Sequence, residues 1–63
     1  MEKTKLHAGI TDGGIFYTLY RLQGGFHSLE WWADGAPEPE DTWFDTYGEA
    51  LVVFNAVCVL KVA

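Results

Sequence analysis

No disulfide can form within this chain: Cys58 is the only cysteine among 63 residues, and no paired Cys/His spacing offers a zinc site instead. Natural domains this small usually add a disulfide, a structural metal or a partner subunit, because they hide only roughly 60% of the surface their unfolded chain exposes. Without the first two, aromatic packing and association remain. Basic residues are scarce as well, four against nine carboxylates, for a net charge of −5. Phosphate backbones are bound by clustered Lys and Arg, so direct nucleic-acid binding is disfavoured. Long apolar runs are also missing. The longest, Ala50 to Leu60, is interrupted by Asn55 and falls far short of the roughly 20 residues that span a bilayer. Residues 1–9, MEKTKLHAG, lack the apolar segment of a secretory signal, and a lone thiol suits a reducing compartment. The chain therefore reads as cytoplasmic, with no membrane partner.

Catalytic patterns are equally sparse. His7 and His27 are the only imidazoles, and Cys58, set within an apolar run, reads as a small buried hydrophobe rather than a thiolate paired with a base. The acids of residues 34–41 do not follow the alternating ligand order of a calcium loop, so no metal is expected. Asp12-Gly13-Gly14 and Gln23-Gly24-Gly25 precede no helix and no Lys-Ser or Lys-Thr, which makes them hairpin turns and not phosphate loops. With no assembled nucleophile, base or cofactor motif, the expectation is a protein that is not an enzyme and carries no cofactor.

Large side chains, by contrast, are abundant: three Trp, three Tyr and four Phe, each able to bury roughly 150–250 Å². Their density, with 49% hydrophobic content, argues for a folded core rather than disorder. Charge is distributed unevenly. Lys3, Lys5 and Arg21 against Glu2 and Asp12 give residues 1–21 a balance of +1. Only Lys61 stands against Glu30, Asp34, Glu38, Glu40, Asp41, Asp45 and Glu49 in residues 22–63, a balance of −6. Most of those acids fall in E-W-W-A-D-G-A-P-E-P-E-D-T-W-F-D, residues 30–45, which also holds every tryptophan and contains no lysine or arginine.

Apolar residues on either side of Asp12-Gly13 mark a hairpin whose two turn positions need positive φ, between a strand from Lys3 to Ile10 and another from Ile15 to Leu22. The following Gln23-Gly24-Gly25 admits two registers. A two-residue loop pairs Leu22 with His27 and puts Leu29 and Trp31 on the face of Phe16 and Tyr20. A three-residue loop with a left-handed glycine pairs Leu22 with Phe26 and sets Tyr17 and Leu19 beside Trp31 and Leu29. The second is preferred, because Thr18, Ser28 and Glu30 then collect on a face suited to water, with Phe16, Tyr20 and Trp32 also turned from the core. Trp32 lies outside in both registers. Pro37 and Pro39 make residues 34–41 an extended loop, with a short edge strand at 42–45.

Thr46-Tyr47-Gly48-Glu49 has the form of a capping box, predicting a helix from about Tyr47 to about Leu60. Its polar residues Glu49, Asn55 and Lys61 stand roughly 120° apart around the axis, so no whole side is polar. A competing reading ends the helix near Ala56 and makes V-C-V-L-K-V a terminal strand.

The expected fold is one α+β domain over residues 1–63, a three-stranded antiparallel β-meander followed by one C-terminal helix packed on the sheet. Aromatic anchors among charges are the usual composition of a binding hot spot, and an acidic face attracts basic protein surfaces. The expected partner-binding set is Glu30, Trp32, Asp34, Glu38, Glu40, Asp41, Trp43 and Asp45, facing a protein with a basic, nucleic-acid-binding surface. In size, charge and architecture the chain resembles the small acidic inhibitors encoded by phages and mobile elements, including anti-CRISPR and anti-restriction proteins. That resemblance implies a blocker of a nucleic-acid-binding partner and carries over no individual residue. The alternative is a homodimeric accessory domain that self-associates through the helix, with Val52, Asn55 and Val59 at a two-fold interface.

Overall fold

The computed structural model describes residues 2–62. Five strands and one helix follow one another as β1 (Lys3–Ile10), β2 (Phe16–Leu22), β3 (His27–Trp31), β4 (Glu40–Phe44), α1 (Tyr47–Val57) and β5 (Leu60–Lys61). All strand pairs are antiparallel, in the spatial order β4-β3-β2-β1-β5. The α+β class, the antiparallel sheet and the single helix agree with the sequence. The three-stranded meander does not: β4 adds five residues at one edge and β5 a two-residue strand at the other.

The first hairpin differs from expectation in its turn. Neither Asp12 nor Gly13 has positive φ; Gly14 does, at 87°. The Thr11 amide bonds the Ile15 carbonyl at 3.0 Å and the Gly14 amide bonds the Thr11 carbonyl at 3.0 Å, which closes a three-residue loop. The second turn is the three-residue form preferred from sequence. The Leu22 amide donates to the Phe26 carbonyl at 2.7 Å, and Tyr17 pairs with Trp31 and Leu19 with Leu29.

A bulge shifts β1 midway, between Lys5 opposite Tyr20 and His7 opposite Leu19. Leu6 is the extra residue. Beyond it the alternation changes phase, so His7 and Gly9 share a face with Leu19 and Tyr17, while Ala8 and Ile10 take the other. The even spacing of Leu6, Ala8 and Ile10 in the sequence conceals this switch.

Thr46 caps α1 as the capping box implies, its hydroxyl accepting from the Glu49 amide at 3.2 Å and donating to the Glu49 carboxylate at 3.1 Å. The helix buries Ala50 and Phe54 against Leu19 and Leu29, with Cys58 closing the cluster. It stops at Val57, well before Leu60. The Cys58 amide still reaches the Phe54 carbonyl, but the next free amides pair with β1 instead: Val59 with the Ile10 carbonyl and Val62 with that of Ala8, both at 2.9 Å. Gly9 makes the crossing possible. A Cβ there would sit 3.0 Å from Cys58 Cβ, Cys58 Sγ and the Leu60 carbonyl oxygen, closer than packed atoms tolerate. The terminal-strand reading is thus met in part, with Val57 still in the helix and the strand confined to Leu60–Lys61, and the long helix is not found.

Candidate partner-binding face

One face of the sheet carries α1 and the other carries none. Register assigns the residues. On the helix-free face Tyr20, Ser28 and Trp43 run across β2, β3 and β4, and Thr18, Glu30 and Asp41 form the next row. Phe16 and Trp32 follow at the end of the sheet, lining a hollow of about 280 Å³ together with Thr18, Tyr20, Glu30 and Pro39. Trp32 and Trp43 are each 54% exposed, and Phe16 is 57% exposed. Phe26, beside the second turn, packs its ring 6.5 Å from that of Trp43 and is exposed as well.

Local chemistry holds both indoles in place. Trp32 donates its Nε1–H to the Ala36 carbonyl at 2.8 Å, inside a turn closed by the Ala36 amide on the Ala33 carbonyl, with Gly35 at φ 79°. Trp43 donates to the Asp41 carboxylate at 3.0 Å, the pair being two residues apart on one strand and therefore on one face. Fixed aromatic rings lose little entropy when a partner covers them.

The acids form a margin rather than a single plane. Asp41 and Glu30 stand on the helix-free face. Glu40, opposite Trp31, lies on the other face of the same edge strand. Asp34 and Glu38 occupy the exposed loop before β4, and Asp45 follows β4 just ahead of the helix cap. All of them border the β3–β4 side of the molecule, so the negative charge follows an edge that joins the two faces. Carboxylates along an unpaired strand also discourage edge-to-edge association.

One acid is compensated, contrary to the absence of cations around it in the sequence. Lys3 reaches over the Tyr20 ring, its Nζ 4.3 Å from the centroid, and forms an ion pair with Glu30. The Glu30 carboxylate beside it raises the Lys3 pKa above its ordinary value. Sequence spacing could not reveal the pair, because its partners are 27 residues apart. Phe16 and Tyr20 were readable from the preferred register as outward-facing; the exposure of Phe26 was not.

The remaining aromatics belong to the helix side. Trp31 stacks on Tyr17 with centroids 5.1 Å apart and is half-buried. Cys58 is buried, and desolvation raises its pKa above the usual thiol value. No helix among the described residues is long and apolar enough to cross a membrane. No protein-family model, no curated protein and no solved structure matches this chain.

Proposed function

We propose that this chain is a non-enzymatic, cytoplasmic inhibitor that docks its helix-free sheet face and acidic β4 margin onto a basic, nucleic-acid-binding surface of another protein. The observation that carries this reading is the placement of Trp32 and Trp43, more than half exposed yet hydrogen-bonded in position, on one face with Phe16 and Asp41. Rings of that size gain little by facing water, and they supply desolvated contact once a partner covers them. Asp34, Glu38, Glu40, Asp41 and Asp45 supply long-range attraction, and Glu30 contributes after exchanging Lys3 for a partner cation. Small size, acidity and an α+β architecture are shared with anti-CRISPR and anti-restriction inhibitors, which supports the same reading.

Capture from a lysate of nucleic-acid-binding proteins tests it. The wild-type chain should retain proteins that duplex DNA then displaces, and Trp32→Ala/Trp43→Ala should retain none of them. Reversing Glu38, Glu40, Asp41 and Asp45 to lysine should slow association with the captured partner and flatten its salt dependence. Retention that survives both sets of substitutions, or that duplex DNA leaves untouched, would remove the charge-mimic reading.

Self-association is the second reading, favoured by Val52 at 70% and Val59 at 69% exposure, with Leu60 and Val62 also exposed. Val59 lies beyond the end of α1, so a two-fold contact would combine the outer side of the helix with β5 rather than use the helix alone. Sedimentation at high micromolar concentration separates the two: a strict monomer removes this reading and leaves the first intact.

A further inference from the structure

On the helix side of the sheet, away from the aromatic face, a cleft of about 550 Å³ is lined by Leu6, His7, Arg21, Gly25, His27 and Tyr47. We propose that it binds a small organic carboxylate with an apolar body. The β1 bulge builds one wall, since the extra residue turns Leu6 and His7 together toward the start of α1. His7 Nε2 lies 2.8 Å from the Tyr47 hydroxyl, and the His27 ring sits 5.6 Å from the Tyr47 ring. His27 is only 7% exposed, and its Nδ1 has neither solvent nor any hydrogen-bond partner. A polar nitrogen in that state is destabilising, and since it is closed to solvent His27 lines the cleft through its other atoms.

Charge selects an anion. Among the described residues no carboxylate lines the cleft and Arg21 forms no ion pair. Glu2 shares a separate hollow with Arg21 without reaching it, and Glu49, in the first turn of α1, is engaged by Thr46. The planar guanidinium fork matches a carboxylate in two parallel hydrogen bonds. With one permanent cation present, a monoanion balances the cleft, whereas a phosphate dianion brings a second charge into a molecule already at −5. Leu6 and Tyr47 offer the apolar body its contact, in a volume within the range of small-molecule sites.

An amide NMR titration of the full chain with sodium benzoate, at constant ionic strength, tests the site, with benzamide and inorganic phosphate as the other arms. Benzoate should give saturable shifts centred on residues 6, 7, 21, 25, 27 and 47, with half-saturation below about 10 mM. Benzamide and phosphate should each bind about tenfold more weakly or not at all. Arg21→Gln, at an exposed position, should weaken benzoate about tenfold, Tyr47→Phe should weaken it by less, and Trp43→Ala should leave it unchanged. Shifts that fail to saturate, equal binding of benzamide, tighter binding of phosphate, or indifference to Arg21→Gln would each overturn the assignment. Because the cleft and the aromatic face use different residues, failure of one leaves the other standing.

Discussion

On the helix side of the sheet Leu19, Leu29, Ala50 and Phe54 are exposed to 1% or less, whereas across the same strands Phe16, Trp32 and Trp43 keep more than half of their surface in water. The contrast runs against economy of folding. The covered face closes over Leu19, Leu29, Ala50 and Phe54 with Tyr17 and Phe44 packed beside them, while the two most exposed indoles stand on the face that carries no helix. Stability is concentrated on the first face. The second has the composition of a contact surface, with an acidic margin along β4 and an exposed ion pair between Lys3 and Glu30.

Substitutions on the two faces should therefore separate folding from binding. Phe54→Ala is expected to have the largest effect: truncating a fully buried phenylalanine costs about 3–5 kcal/mol, comparable to the whole stability of so small a domain. Far-UV circular dichroism under native conditions should show a largely unfolded chain. Next comes Gly9→Ala, which forces a methyl group to within 3.0 Å of Cys58 and Leu60. Overpacking of this kind costs about 1–3 kcal/mol, and loss of amide protection at Val59 and Val62 should report detachment of β5 before the rest of the sheet opens.

Ser28→Ala should act in the opposite direction. Ser28 is 1% exposed, and its hydroxyl has no partner. Removing an unsatisfied buried hydroxyl should raise the urea midpoint, by about 1 kcal/mol in unfolding free energy. The smallest effect belongs to Lys3→Gln. Its ion pair is solvent-exposed and should contribute well under about 1 kcal/mol. The sign of the pH dependence follows from the raised Lys3 pKa. The contribution is fully present below the ordinary lysine value of 10.5 and fades as pH rises through the higher folded value, so wild type and Lys3→Gln should converge in stability in strong alkali.

Local rules made part of this architecture legible. The capping box at Thr46, the two hairpins, the register that pairs Leu19 with Leu29, and the outward placement of Trp32 all rest on interactions between near neighbours in sequence. The β5 edge strand rests on a distant partner, Lys61 pairing with Gly9, and neither the β1 bulge nor the start of β4 has a turn or capping signal of its own. Residues 42–45 read as a short strand at most, whereas β4 begins at Glu40, directly after Pro39, because β3 offers it a ladder partner. Residues 57–61 satisfy helical and extended patterns alike. The free edge of β1 and the space above Gly9 decide for the strand, and neither is visible in a local window. The acids were legible as a cluster, but the division of Glu40 from Asp41 across two faces needed the strand itself, and Lys3 entered the site only through folding.

The account is tested most directly by Trp32→Ala/Trp43→Ala, followed in parallel by urea unfolding and by retention of DNA-displaceable partners. Unfolding free energy within about 1 kcal/mol of wild type, together with loss of those partners, is the expected result, since half-exposed rings contribute contact rather than core. A loss of several kcal/mol with retention undiminished in the surviving folded protein would show that the open face serves the fold and not a partner.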